Sequence, residues 1–138
     1  MVTIEEAQEF LNQAYEARNN AVTIAYELAE MKKTSRKLVA SFELIPGGAN
    51  KYDISNDIAR IEVKTEELRK KQELWIEKTK IIEDCINNLP VNIKIKRVLS
   101  LRYLSFQKWN KIKEEMCYSE RHVMRLHLLG LEATAKKL

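Results

Sequence analysis

Arg121 and Arg125 stand four positions apart in the run Ser119-Glu120-Arg121-His122-Val123-Met124-Arg125-Leu126-His127. On a helix that separation puts both side chains on one face. Each guanidinium holds its N–H donors in a rigid fork that matches two acceptors on a base edge, such as O6 and N7 of guanine in the DNA major groove. Ser119 is of the type that starts a helix by accepting a backbone N–H. The chemistry on offer is hydrogen-bonded recognition of a polyanion with readable edges.

Two helices joined by a tight turn would carry such a pair, and a frame laid on Trp109 to Leu128 fits that arrangement. Its inward positions hold Ile112, Met116, Tyr118, Val123 and Leu126, all apolar or aromatic. Ser119, Glu120, Arg121, His122, Met124, Arg125 and Leu128 then point outward from the first turns of the last helix. Of these, Ser119, Arg121, His122, Met124 and Arg125 are the candidate DNA-binding residues. Lys108, Lys111 and Arg102 are expected near phosphates.

The charge distribution agrees. Thirteen basic and 16 acidic residues precede Val91, whereas 11 basic and 4 acidic residues follow from it, so the net +4 conceals a front of −3 and a tail of +7. The cationic tail is where a polyanion would bind.

Other chemistries find little footing. Gly-rich phosphate loops, GxSxG and HExxH do not occur, and Glu5-Glu6, Glu66-Glu67 and Glu114-Glu115 are sequence neighbours whose side chains diverge by about 100° on a helix. No enzyme and no cofactor is expected. His122 and His127 are five apart, on different helix faces, and Cys117 lies five before His122, so no metal site assembles. His127 is expected to pack or to touch a phosphate, and Trp75 and Trp109 to join the core. Cys85 and Cys117 show no CxxC spacing, Met1 begins no signal-peptide pattern, and no apolar run reaches the roughly 18 residues of a membrane span, so a cytoplasmic protein is expected.

The elements that position the tail follow from sparse punctuation. Three Gly and two Pro in 138 residues favour long helices over a turn-rich sheet fold. Thr3 and Glu6 have capping-box spacing, in which Glu6 would reach back to the Thr3 N–H. Ile4, Ala7, Leu11, Ala14, Ala21, Ala25 and Leu28 then repeat at helical spacing, so a helix is predicted from Thr3 to Lys33, with extension towards Ile45. Pro46-Gly47-Gly48 marks a connection, and a second helix is predicted from Asp53 or Ser55 to Asn87-Asn88, ahead of Pro90. It would be roughly 50 Å long. Its heptad seam reads Ile54, Ile61, Leu68, Trp75, Ile82 and Leu89, while the companion seam, Ile58, Thr65, Gln72, Thr79, Ile86, is polar in the middle. The polar series reads as a solvated edge or as a register device in an oligomer.

The expected fold is therefore all-α: a long antiparallel, coiled-coil-like hairpin over residues 1–89, then a three-helix helix-turn-helix domain over residues 90–138. In the second part Ile95, Val98 and Leu99 mark a helix opened by Pro90 and closed at Tyr103-Leu104, followed by helices from Trp109 to Met116 and from Ser119 onward. A lone hairpin leaves apolar surface wet, so self-association through Ile54, Ile61, Leu68, Trp75 and Ile82 is expected, a dimer first.

The tail also resembles a known family. Val98-Leu99-x-Leu101-Arg102-Tyr103, Trp109-x-x-Ile112 and Met116-x-Tyr118-Ser119-x-Arg121-x-Val123-x-Arg125-Leu126-His127 are similar to the pattern RY, W..IA, M.YS.R.V.RLH of small transcriptional regulators from phages and prophages of Gram-positive bacteria, of the RinA and ArpU kind. That region resembles in turn the fourth region of bacterial sigma factors. The resemblance implies that Ser119 caps the recognition helix, that Arg121, Met124 and Arg125 face DNA, and that RNA polymerase is a candidate partner. Two positions depart from the pattern. Lys113 replaces a small Ala and would open the helix pair slightly, and Cys117 takes a turn position favouring Gly or Asn, forcing a left-handed or bridge conformation.

The partner expected from this reading is double-stranded DNA, with no membrane. Competing readings are a small terminase subunit that recognises packaging DNA, which would close into a ring, and a sigma-mimicking module that binds protein and would ignore charge reversal at Arg121 and Arg125.

Overall fold

A computed structural model describes residues 1–44 and 54–138, and all six elements among them are helices: α1 (Ile4–Leu11), α2 (Gln13–Glu43), α3 (Ser55–Asn87), α4 (Ile93–Tyr103), α5 (Trp109–Met116) and α6 (Glu120–Lys137). The Pro46-Gly47-Gly48 connection, Ile45 and the Asp53 cap lie outside the described residues.

Thr3 starts α1 as its residue type requires, its Oγ1 accepting the Glu6 N–H at 3.1 Å. The other half of the expected box takes a different form, since the Thr3 hydroxyl donates to the Glu6 carboxylate at 3.3 Å. The helix predicted from Thr3 to Lys33 is divided at Asn12, a weak helix former, where ψ flattens to −4°. Hydrogen bonds continue on both sides, Asn12 N–H to Gln8 O and Glu16 N–H to Asn12 O, so the break is one residue long. Beyond it the buried stripe is Ala14, Ala17, Ala21, Ile24 and Leu28; Ile24 replaces the expected Ala25, which is exposed. The helix continues to Glu43, ten residues past Lys33.

The chain forms two compact units, Arg18–Glu73 and a second comprising Met1–Ala17 with Leu74–Leu138. They cut the chain at places other than the residue 89/90 boundary expected from sequence, because α1 and the end of α3 share a core with the helices that follow Pro90.

In the unit Arg18–Glu73, Lys64 Nζ of α3 lies 2.9 Å from Glu27 of α2 and 3.4 Å from Glu67. Met31, Thr34 and Leu38 of α2 share a groove with Asp57, Arg60 and Ile61 of α3. Thr65 and Gln72 are exposed, and Thr65 returns its hydroxyl to the Ile61 carbonyl at 2.7 Å; Thr79, the third of the polar series, is half-buried and donates to the Trp75 carbonyl at 2.8 Å. On the apolar seam Ile54 is exposed, and Ile61 and Leu68 are half-buried.

In the other unit Leu11, Ile82, Ile86, Val98, Leu99, Tyr103, Ile112 and Val123 form a closed interior. This corrects the expectation for Ile82. With no exposed surface it fills the chain's own core and cannot meet a second copy. Trp75, half-buried, lines a groove with Leu104 and Phe106. α4 is capped by Asn92, whose Oδ1 accepts the Lys94 N–H at 2.9 Å, instead of opening at Pro90. Gly130 lets α6 meet α4 closely: a Cβ there would lie 2.8 Å from Leu99 Cδ1.

Candidate nucleic-acid interface

The turn between α5 and α6 is built by backbone bonds that the sequence must permit. The Cys117 N–H reaches Glu114 O at 3.2 Å and the Tyr118 N–H reaches Lys113 O at 3.3 Å, the Schellman arrangement that ends a helix. It needs a left-handed residue, and Cys117 supplies it at φ 57°, ψ 38° although it carries a Cβ. Two residues later Ser119 takes extended backbone, and its Oγ accepts the His122 N–H at 3.3 Å to begin α6. Ile112, Val123 and Leu126 are buried behind the turn, while Met116 and Tyr118 are half-buried against the same core. Lys113 is half-buried.

With the inner face so occupied, the first two turns of α6 present the opposite one. Ser119, Arg121, His122 and Arg125 are exposed, and Met124 is half-buried. Leu128, one turn on, is exposed as well. Lys108, the residue before α5, and Lys111 on its first turn are exposed. Five of the eight candidate contacts therefore lie at the start of α6, and two lie on or beside α5.

Arg102, expected at a phosphate, is placed differently. Its Nη1 donates to the Gln107 carbonyl at 3.0 Å, and its guanidinium carbon lies 4.6 Å from the centre of the Trp109 ring. A planar cation held between a carbonyl and an indole face braces the α4–α5 connection and is half-buried there. Trp109 presents its ring to His127, with centroids 4.6 Å apart, and His127 Nε2 lies 2.6 Å from the Tyr103 hydroxyl. His127 is an interior residue. Burial, reinforced by the Arg102 charge, pulls its imidazole down to about 4, so it is neutral at physiological pH; burial pushes Tyr103 up to about 12.

His122 differs from His127 in being exposed, with its ring edge-on to Tyr118 at 4.5 Å. On the same tyrosine ring, 5.8 Å from its centre, lies the ammonium of Lys94 from the first turn of α4. Spacing could not have placed Lys94 there, since it stands 24 residues before Tyr118; only the packing of α4 on α6 brings it close.

Among the described residues no cluster of His, Cys, Asp and Glu could hold a metal ion, both cysteines are free thiols, and no helix is long and apolar enough to cross a membrane. Burial raises the Cys85 thiol above its ordinary range, against the charge of Lys137. Compared with known proteins, the chain matches no family model, no curated protein and no solved structure.

Proposed function

We propose that this protein is a DNA-binding transcriptional regulator of the phage and prophage type, in which α5, the Cys117 turn and α6 form a helix-turn-helix whose recognition helix is α6. The observation that carries the reading is the exposure of Arg121 and Arg125 on the opening turns of a capped helix whose opposite face is fully packed. A recognition helix needs this combination, because base edges are read by side chains near its N-terminus while the other face holds it at a fixed angle. Lys108 and Lys111 supply phosphate contacts beside it. His127, on the buried face of α6, and Arg102 and Trp109 packed around it support the helix from behind.

The N-terminal helices serve self-association in this reading, as an antiparallel hairpin with apolar surface to spare. Tyr26, Val63 and Ile76 each leave about 70% of their surface in water, and Ile54 and Ile58, the first residues of the two seams, are exposed. Two linked reading heads bind paired half-sites far better than one.

Fluorescence anisotropy on a duplex obtained by selection, and on the same duplex scrambled, tests the reading. Replacing Arg121 or Arg125 by Ala is expected to weaken binding to the selected duplex by about 1 to 3 kcal/mol and to leave the scrambled one nearly unaffected. Equal losses on both duplexes would remove the base-reading role. Mass measurement in solution bears on the assembly: a dimer or tetramer supports regulation, and a closed ring would favour DNA packaging.

A further inference from the structure

Lys94, Tyr118 and His122 form a stack that joins two helices. The Tyr118 ring holds the Lys94 ammonium 5.8 Å from its centre and the His122 ring 4.5 Å away, the two rings meeting edge to face at 72°. Tyr118 is itself half-buried against the core, so it is a fixed mount. Lys94 and His122 are both exposed. The backbone beneath Lys94 is fixed too, because its N–H is the donor that Asn92 Oδ1 accepts at 2.9 Å. Among the described residues the lysine makes no ion pair with a carboxylate, unlike Lys64, which is closed by Glu27 and Glu67. Its neighbour Lys96 is occupied otherwise, donating to the Asn87 carbonyl at 2.7 Å.

We infer that Lys94 is a DNA phosphate-binding residue, carried by α4 and aimed by the Tyr118 ring to the flank of the groove that the start of α6 enters. This rests on the proposed reading of α6 as a recognition helix and adds a contact from a third helix. An ammonium tethered to an aromatic face, but not neutralised by a carboxylate, keeps its charge and two or three of its donors for a further acceptor, while losing less conformational freedom than a free lysine would on binding. His122, which meets the same ring, lies on the first turn of α6, so the cation is set beside the start of that helix and not at the far end of the domain. The contact also offsets the loss of Arg102, whose guanidinium is engaged with Trp109 and Gln107.

The test is the salt dependence of binding to a mixed-sequence duplex, measured for the full chain and for Lys94→Gln, Lys94→Ala and Lys94→Arg. Each phosphate contact contributes about 0.9 to the slope of log K against log salt. Lys94→Gln, which keeps a polar stem on the ring, and Lys94→Ala are expected to lower that slope by about one and to weaken mixed-sequence and selected duplexes by the same factor. Lys94→Arg is expected to restore it. Unfolding by heat, followed by circular dichroism, separates a folding defect: loss of affinity with an unchanged slope and a lowered Tm would make Lys94 a structural residue and overturn the inference. If the unaltered chain binds, Arg121→Ala loses affinity for the selected duplex and the Lys94 variants keep the full slope, the inference fails while the recognition helix stands. If the unaltered chain binds no duplex at any salt, both fail.

Discussion

Gly130→Ala tests whether α4 and α6 meet as closely as the structure has them. In a helix, Ala is favoured over Gly by about 1 kcal/mol, so a glycine at the middle of an 18-residue helix should be easy to improve. Here the added Cβ would lie 2.8 Å from Leu99 Cδ1 and 2.9 Å from both Cδ2 and Cγ. The methyl groups cannot rotate away, since Leu99 is fully buried, and Cγ moves only if α4 does. Overpacking of this kind costs typically about 1–3 kcal/mol. The propensity gain is outweighed, and Gly130→Ala is expected to destabilise the protein by up to about 2 kcal/mol. Leu99→Ala removes the three obstructing atoms and by itself costs about 2–5 kcal/mol. On that background Gly130→Ala has free space to enter, and it should stabilise by about 1 kcal/mol or more. The sign of one substitution thus reverses with the state of residue 99, a coupling of about 1–3 kcal/mol. Urea unfolding of the four proteins measures it, and because Trp75 and Trp109 both lie in the unit that contains α4 and α6, tryptophan fluorescence follows the relevant transition. Stabilisation by Gly130→Ala with Leu99 intact would refute the close crossing.

Other outcomes follow from the same geometry. Cys117→Gly relieves a left-handed backbone at φ 57° and should stabilise by about 0.5–1 kcal/mol, while Ser119→Ala removes a cap and should cost about 1 kcal/mol, both read from the urea midpoint at constant m. His127 has its folded pKa near 4, below the ordinary 6.5, so the unfolded chain takes up the proton first as pH falls. Its contribution is full above pH 6.5 and is lost progressively down to about 4, a change of up to about 3 kcal/mol. The pair Tyr103→Phe with His127→Leu, which removes both hydrogen-bonding groups together, should flatten that part of the pH profile; an unchanged slope would place His127 in water. Ile61→Asp with Leu68→Asp should lower the mass in solution and the affinity for a paired site together, and a monomeric parent protein at micromolar concentration would remove the basis for this.

How much of this was legible in the sequence varied with the range of the interactions involved. α5 runs from Trp109 to Met116 and α6 begins after Ser119 as expected, because these limits are set by local signals: a cap and an i, i+4 apolar pair. The left-handed backbone at Cys117 was expected from the family resemblance, which put that residue at the turn. The ends of α2 and its register were not. Asn12 interrupts the helix by one residue, after which the buried stripe passes through Ile24 instead of Ala25, a small shift in facing that no residue type announces. Long-range packing was the least legible. Ile82 continues a heptad pattern that reads as an exposed seam, yet it ends in a core shared with Leu11 and Val98. Arg102 looks like a free cation in a basic segment until Trp109 and Gln107 are seen to occupy it, and Lys94 reaches Tyr118 only through tertiary structure.

Whether Arg121 and Arg125 read bases, as proposed, is decided by selection of bound duplexes from a randomised library, carried out in parallel with the unaltered chain and with Arg121→Ala and Arg125→Ala. One enriched motif is expected for the unaltered chain and, for each variant, the same motif with preference relaxed at one position per half-site. No enriched motif, or an identical motif from all three proteins, would contradict that proposal.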